Sequence, residues 1–217
     1  MSLDLLADAG GTNTWREQLG PGAVVLRGFA LSDAEAMLGE ITQIVTQAPF
    51  RHMVTPGSFR MSVAMSNCGD FGWVTDASGY RYQATDPDSN QAWPALPELF
   101  LQMAGKAATE AGFADFVPNA CLINRYEPGA KMSLHQDKDE RDLSQPIVSI
   151  SLGLPAIFLF GGLRRAEPAS RITLTHGDVV VWGGPDRLRY HGVLALKEGQ
   201  HPLLGACRLN LTLRKAN

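Results

Sequence analysis

The chain has 217 residues, a mass of 23.5 kDa and a formal net charge of −3. This length suits one domain, and a composition of 45% hydrophobic and 19% charged residues excludes a disordered chain. The acidic balance argues against a protein that coats nucleic acid through bulk charge, but it is compatible with a local basic rim.

The cysteine content and the hydropathy pattern indicate a reduced, cytoplasmic protein. Cys68, Cys121 and Cys207 are too few and too widely spaced for a disulfide framework or a zinc knuckle. Residues 1–9 lack the basic start and apolar run of a signal peptide, and the nearly apolar run 147–160 is too short and too interrupted to span a bilayer. We therefore expect a cytoplasmic location without membrane attachment.

The first half of the chain carries the helix signals. Residues up to Gly22 are typical of a loop, and Ala23–Phe29 is an apolar run that predicts a strand. Ser32 and Glu35 have the spacing of a capping box, which predicts a helix with an apolar stripe. That stripe consists of Ala36, Met37, Ile41, Ile44 and Val45. A second helix is predicted between Pro97 and Gly112, with Leu99, Phe100, Met103 and Ala107 facing inward.

After Gly112 the pattern changes to short apolar runs separated by turns rich in glycine and proline. These runs predict strands over 121–126, 131–137, 147–154, 156–160, 171–175, 178–182 and 207–214. Many short strands without intervening helices favour a double-sheet barrel of the jelly-roll or cupin type. We therefore predict a single domain, mainly β with flanking helices (α+β), with an N-terminal extension over about 1–115 and a barrel core over about 116–217.

His135 and Asp137 have a spacing that points to metal chemistry. On a strand, one intervening residue sends both side chains to the same face. A later histidine, His191, would complete a set of two histidines and one carboxylate, which leaves one face of a metal open and suits non-haem Fe(II) oxygenases. From the spacing alone, a surface histidine beside a turn aspartate is the competing interpretation.

A second His-x-Asp pair, His176 and Asp178, lies immediately before the apolar run Val179–Trp182. Its glycine and its position favour a turn that leads into a buried strand, with Asp178 capping the turn. We therefore predict a structural role for this pair.

The last predicted strand has one polar and one apolar face. Arg208, Asn210, Thr212 and Arg214 alternate with leucines, and Asn124 and Tyr126 provide a matching polar face on an earlier strand. An ordinary strand with one solvated side explains this pattern equally well. If the polar faces instead line the barrel interior, two arginines there require anions, and a small dicarboxylate supplies one for each.

An aromatic segment and scattered cations give a weaker signal. Trp73, Tyr80 and Tyr82 lie in the stretch 66–83, which is typical of loops or a hairpin, and aromatic residues there can stack on an extruded base or cover an edge of the core. Several lysines and arginines could form a rim that contacts phosphates: Arg51, Arg60, Arg81, Lys131, Lys138, Arg164 and Arg165.

Longer motifs run through most of the chain. They are Cys121–Tyr126, Pro128–Lys131, Leu134–Asp139, His176–Gly184 and the closing Arg208-x-Asn210-x-Thr212-x-Arg214, with further runs at 53–57, 61–65 and 153–158. Together they resemble the bacterial AlkB family of Fe(II)- and 2-oxoglutarate-dependent dioxygenases over nearly everything from Leu3 to Arg214. The chain departs from that pattern in its polar residues near 10–14 and at Leu209 and Leu213, where the family relative has aromatic residues.

The resemblance implies a double-stranded β-helix core with an N-terminal nucleotide-recognition lid. It also implies site residues. Iron would be bound by His135, Asp137 and His191. 2-Oxoglutarate would be bound by Asn124, Tyr126, Arg208, Asn210 and Arg214, with Arg208 on the distal carboxylate. The damaged base would stack between Trp73 and His135 beside Asp139, and the backbone phosphates would contact Thr55, Tyr80 and Arg165.

The implied reaction is hydroxylation of the N-methyl carbon of 1-methyladenine or 3-methylcytosine, coupled to decarboxylation of 2-oxoglutarate by O2. Formaldehyde, succinate and CO2 are released and the base is restored. Single-stranded DNA would be preferred because an unpaired base costs less to extrude, with double-stranded DNA and RNA as further substrates. We expect a monomer without an obligate protein partner. Two alternatives are a cupin-type small-molecule oxygenase and a non-catalytic binder of damaged nucleic acid.

Overall fold

The computed structural model describes residues 15–217, and it is mainly β, with 37% strand and 16% helix. The strands are β1 (Trp15–Gly20), β2 (Ala23–Arg27), β3 (Ala64–Gly69), β4 (Gly72–Asp76), β5 (Gly79–Gln83), β6 (Ala120–Tyr126), β7 (Met132–His135), β8 (Ile147–Gly153), β9 (Ala156–Phe160), β10 (Ser170–Leu174), β11 (Val179–Trp182), β12 (His191–Val193) and β13 (Arg208–Arg214). The helices are α1 (Ala34–Gln47) and α2 (Glu98–Glu110).

Antiparallel sheets make up the architecture of the described residues. A seven-stranded sheet has the order β1-β2-β11-β8-β13-β6-β3, and a four-stranded sheet has the order β10-β9-β12-β7. Side chains of both sheets, among them Leu122, Trp182 and Phe158, meet in one apolar core. Strands β4 and β5 form a separate hairpin. The predicted mainly β, two-sheet fold with flanking helices is therefore confirmed.

Both helices pack against the outer face of the seven-stranded sheet. Met37 and Ile41 of α1, and Phe100 and Met103 of α2, share a buried cluster with sheet residues such as Leu211. Every residue of β8 and β11 is buried, because this sheet is covered on both faces. This explains why β11 appears in the sequence as a continuous apolar run and β8 as a nearly apolar one. No helix in the described part of the chain combines the length and hydropathy needed to cross a bilayer.

The start of the chain differs from the sequence prediction. Residues expected to form a loop include strand β1, whose polar sequence fits its exposed position at the edge of the sheet. Helix α1 begins at Ala34 after a 3-10 turn, and its N-cap, Asp33, makes no side-chain capping bond. The predicted capping box of Ser32 is wrong, since the Ser32 hydroxyl donates to Asp33 instead. The polar residues near 10–14 lie outside the described residues.

Three strands, β3, β4 and β5, occupy the stretch predicted as loops or a hairpin. Helix α2 agrees with its prediction, because it follows Pro97 directly and ends before Gly112, whose φ of +92° suits a residue without a side chain. The stripe residue Ala36 is exposed, which corrects one predicted inward position, whereas Leu99 is half-buried and packs against the core as predicted. Strands β2 and β3 lie in the same sheet as later strands, and a division of the domain near residue 115 stays a prediction.

Candidate metal and cofactor site

Two histidines and one aspartate meet on the four-stranded sheet. His135, the last residue of β7, pairs directly with His191, the first residue of β12, and their ring centroids are 4.4 Å apart. The Oδ1 atom of Asp137 lies 3.6 Å from Nε2 of His135, and its Oδ2 atom lies 3.7 Å from Nε2 of His191. All three potential ligand atoms lie within 4.8 Å of one another, so one ion could contact all of them.

Backbone carbonyls orient both imidazole rings. Nδ1 of His135 lies 2.9 Å from the carbonyl oxygen of Ser133, and Nδ1 of His191 lies 3.1 Å from that of Arg189. When Nδ1 donates its proton to a carbonyl, the lone pair of Nε2 remains free for a metal. Two imidazoles and one carboxylate with an open side form the donor set of non-haem Fe(II) oxygenases, so these residues fit an Fe(II) ion.

The charges around the site hold two of the candidate ligands, Asp137 and His191, in the protonation states that metal binding requires. Burial raises the pKa of Asp137, but Arg214 and the two histidines outweigh burial and lower it below its usual value. Burial, aided by His135, lowers the pKa of His191 to about 4 against the opposing effect of Asp137. At neutral pH the carboxylate is therefore ionised and His191 is neutral, as metal binding requires.

Asp137 reaches the site from a loop, whereas the sequence predicted that it lies on the same strand as His135. Strand β7 ends at His135, so the predicted strand over 131–137 is too long and Asp137 lies in the following loop. Arg214 donates to Oδ2 of Asp137 from Nη2 at 2.6 Å and from Nε at 3.0 Å, and Arg187 donates to its carbonyl oxygen at 2.7 Å. Arg214 therefore holds the carboxylate of Asp137, and Arg187 holds its backbone.

The second His-x-Asp pair has the predicted structural role. Asp178 accepts hydrogen bonds from the backbone amides of Gly28 and Thr175 and from the side chain of Arg27. Nδ1 of His176 accepts from the amide of Gly153 at 3.0 Å. These bonds close a turn before β11.

The predicted polar faces lie opposite each other in register. Arg208 of β13 pairs with Tyr126 of β6, and Asn210 pairs with Asn124 on one side and with Ser151 of β8 on the other. The side chains of β6 and β13 in these pairs line a cavity between the two sheets together with His135 and His191. The cavity therefore places the polar faces and the histidines around one space.

The burial and the hydrogen bonds of Arg208 indicate whether this cavity fits a dicarboxylate. Its side chain is buried, Nη2 donates to the Ser151 hydroxyl at 2.9 Å, and Nε and Nη1 have no partner among the described residues. Oδ1 of Asn124 also lacks a partner there. Burial lowers the pKa of Arg208, and a buried cation without an anion is costly. A carboxylate of 2-oxoglutarate would satisfy the two free nitrogens of Arg208, so the residues fit this cosubstrate.

Three of the predicted substrate residues lie together at the β4–β5 hairpin. The indole N–H of Trp73 donates to Asp139 at 2.8 Å, and the rings of Trp73 and Tyr80 stack with centroids 5.6 Å apart. Thr55 lies in a separate turn, and Arg165 follows β9 with its guanidinium 5.7 Å from the ring of Tyr190. The contacts of Thr55 and Arg165 with phosphate stay predictions.

Several residues around the site escaped the sequence analysis. Ser149 and Ser151 bond Asn210 and Arg208, and the even spacing of these two serines within an apolar strand was a signal that could have identified them. Trp182 lines the same cavity, with its ring centroid 4.9 Å from that of His191. Glu140 and Arg187 form a buried ion pair, and nothing in their spacing predicts it.

Comparisons with known proteins agree with this geometry. The model of the 2OG-Fe(II) oxygenase superfamily matches residues 22–214. The chain is 59% identical over 214 residues to the alpha-ketoglutarate-dependent dioxygenase AlkB of Escherichia coli (strain K12), with 99% of this chain and 98% of the relative covered. It is 32% identical over 169 residues to the DNA N(6)-methyladenine demethylase ALKBH1C of Arabidopsis thaliana, with 66% of this chain and 37% of the relative covered.

The structure of OsALKBH1 matches with a TM-score of 0.81 at 29% identity, covering 92% of this chain and 99% of that chain. The family match spans β2 to β13 and the His135–Asp137–His191 cluster, and the AlkB match spans nearly the whole chain. The chain therefore belongs to the 2OG-Fe(II) oxygenase superfamily and, within it, to the AlkB family, and it is a dioxygenase that uses Fe(II), 2-oxoglutarate and O2.

Proposed function

We propose that this enzyme removes methyl groups oxidatively from alkylated bases, 1-methyladenine and 3-methylcytosine, in single-stranded DNA. One observation carries the proposal: Arg208, two of whose nitrogens have no partner among the described residues, lines the same cavity as His135 and His191, and Asp139 accepts a hydrogen bond from Trp73 of the hairpin. The name of the Arabidopsis relative, a DNA demethylase, supports nucleic acid as the substrate class.

The roles of the cavity residues follow from their chemistry. His135, Asp137 and His191 would hold Fe(II), which with 2-oxoglutarate and O2 supplies the oxidation of the N-methyl carbon. Arg208 would bind the distal carboxylate of 2-oxoglutarate, aided by Tyr126, whose ring lies 5.0 Å from its guanidinium carbon. Asn124 and Asn210, already bonded at 3.3 Å, would orient the molecule, and Arg214 would lie near its metal-bound end.

The hairpin would supply the base site. Trp73 would stack on the extruded base opposite His135, and Tyr80, Thr55 and Arg165 would contact the phosphates. Asp139 would attract 1-methyladenine and 3-methylcytosine, since both lesions are cationic. The hydroxylated methyl group then leaves as formaldehyde without a protein nucleophile. We further propose that the enzyme acts as a cytoplasmic monomer.

The proposal is tested by mass spectrometry of a methylated oligonucleotide. The protein is incubated with Fe(II), 2-oxoglutarate, ascorbate and O2 and with a 1-methyladenine or 3-methylcytosine oligonucleotide, as single-stranded DNA, duplex DNA or RNA. We expect loss of the methyl group together with formaldehyde and succinate, fastest with single-stranded DNA.

The same experiment separates the alternatives. Binding of the oligonucleotide without loss of the methyl group would favour a non-catalytic binder. Consumption of 2-oxoglutarate with a small molecule, and none with any oligonucleotide, would favour a small-molecule oxygenase. Either result would contradict the proposed function.

A further inference from the structure

A buried chain of polar contacts joins the β4–β5 hairpin to the metal ligand Asp137. The hydroxyl of Tyr82, on β5, donates to Oε1 of Glu140 at 2.7 Å. Oε2 of Glu140 accepts from Nη2 of Arg187 at 3.0 Å, and Nη1 of Arg187 donates to the carbonyl oxygen of Asp137 at 2.7 Å. The guanidinium of Arg214 bridges the two carboxylates, 3.4 Å from Oε1 of Glu140 and 2.6 Å from Oδ2 of Asp137.

This cluster is enclosed and balanced in charge. The side chains of Glu140 and Arg187 are 2% and 3% exposed, and those of Arg214 and Asp137 are 7% and 9% exposed. Two carboxylates face two guanidinium groups, so the loss of one partner leaves an uncompensated charge in a medium of low dielectric constant. A change in the contacts of Glu140 therefore changes the electrostatic environment of Asp137, which lies three positions earlier in the same loop.

One oxygen atom is shared between the hairpin and the metal site. Oε1 of Glu140 accepts the hydroxyl of Tyr82 and is also the Glu140 atom that faces Nε of Arg214. A hydrogen bond from Tyr82 lowers the electron density that this oxygen offers to Arg214. The bond from Tyr82 therefore weakens the competition of Glu140 with Asp137 for Arg214, which lies closer to Asp137.

Tyr82 also lies next to the proposed base site. It is the cross-strand partner of Trp73, the residue proposed to stack on the damaged base. Burial raises the pKa of Tyr82 well above its usual value, so its hydroxyl stays a neutral donor. Tyr80 lies two residues away on the same strand, but its side chain is half exposed and its hydroxyl bonds no group among the described residues.

We infer that Tyr82 and Glu140 are positioning residues that couple nucleic-acid binding at the β4–β5 hairpin to 2-oxoglutarate binding at the metal site. The inference rests on the proposed function, because it takes the hairpin as the base site. A base on Trp73 holds β5 in place, Tyr82 then holds Glu140, and Arg214 stays beside Asp137 where 2-oxoglutarate needs it. Since binding coupling is reciprocal, 2-oxoglutarate strengthens oligonucleotide binding by the same factor.

Calorimetric titration measures this coupling without turnover. The protein is loaded with Mn(II) in place of Fe(II), and the Kd of 2-oxoglutarate is determined with and without a saturating single-stranded 1-methyladenine oligonucleotide. In the unmodified protein we expect the oligonucleotide to lower this Kd about fivefold or more, the smallest coupling common in proteins. In Tyr82→Phe, which keeps the ring and removes the hydroxyl, the ratio should fall to about one.

Tyr80→Phe is the matched control, because it removes a hydroxyl from the same strand. It should weaken oligonucleotide binding and leave the coupling ratio unchanged. Glu140→Gln, which keeps an acceptor for Tyr82 and removes the charge that faces Arg214, should also lose the coupling and serves as the second variant if Tyr82→Phe does not fold.

Two results overturn the inference: an undiminished ratio in Tyr82→Phe and Glu140→Gln, or a ratio of one in the unmodified protein. In either case release of formaldehyde from the oligonucleotide, measured separately with Fe(II), shows whether the proposed function still holds.

Discussion

Arg208 and Arg187 are both buried arginines, and their surroundings give them opposite effects on stability. All three guanidinium nitrogens of Arg187 donate hydrogen bonds, whereas two nitrogens of Arg208 have no partner among the described residues. Arg187→Ala should lower the free energy of unfolding by about 3–5 kcal/mol, since it leaves the buried carboxylates of Glu140 and Asp137 with Arg214 as the one guanidinium that the cluster retains. Arg208→Ala should leave the stability of the metal-free protein unchanged or higher, because it removes an uncompensated charge.

Urea unfolding of both variants, combined with the KM for 2-oxoglutarate, checks this contrast. In Arg208→Ala that KM should rise about tenfold or more, the value of a charged hydrogen bond. A large loss of stability in Arg208→Ala with an unchanged KM would assign Arg208 to the folded core instead of the cosubstrate site.

His191 gives the metal-free protein a specific pH dependence. An unfolded histidine takes up its proton near pH 6.5, whereas folded His191 does so near pH 4. Between these values the unfolded chain binds more protons, so stability falls as the pH drops from about 6.5 to about 4. From pH 7 to pH 5 the loss attributable to His191 is about 2 kcal/mol.

The measurement is urea unfolding in the presence of a chelator at pH 7 and pH 5. His191→Gln should lose correspondingly less stability over this interval than the unmodified protein. Equal losses in both proteins would mean that His191 is not buried in its neutral form.

At the scale of elements, the β4–β5 hairpin should act as a binding element. Trp73→Ala should weaken binding of a methylated oligonucleotide by about 1–3 kcal/mol through lost stacking, with little change in the Kd of 2-oxoglutarate without oligonucleotide. Trp73→Phe keeps a ring but loses the bond to Asp139, so it should retain part of the affinity. Fluorescence anisotropy of a labelled oligonucleotide measures both variants, and unchanged affinity in Trp73→Ala would make this residue part of the core alone.

The elements also show what the sequence could and could not predict. Both the extent of β13 and its division into a polar and an apolar face were predictable, because successive side chains on a strand point to opposite faces. The sequence correctly predicted that His135 and Asp137 converge, but it placed Asp137 on a strand. Asp137 lies in a loop, where long-range bonds from Arg187 and Arg214 hold it in place. Strand β12 has three residues and too little pattern to be recognised. The pairing of Tyr82 with Glu140 depends on tertiary packing and has no local signal.

At the scale of the whole molecule, the site exists only when the two sheets are packed together. The two histidines that fit a metal ion, His135 and His191, lie on the four-stranded sheet, whereas the residues that fit 2-oxoglutarate lie on the seven-stranded sheet. Mn(II) with 2-oxoglutarate at 100 times its Kd should therefore stabilise the fold by about 2.7 kcal/mol. Thermal or urea unfolding measures this gain, and Asp137→Ala should abolish most of it; equal stabilisation of that variant would separate cosubstrate binding from the metal site.

Anomalous X-ray diffraction at the iron edge, from crystals grown without oxygen in Fe(II) and 2-oxoglutarate, tests the site most directly. We predict one iron peak contacted by His135, Asp137 and His191, with the distal carboxylate of 2-oxoglutarate on Arg208. An iron peak elsewhere, or a 2-oxoglutarate molecule that leaves Arg208 without an anion, would contradict the site described above.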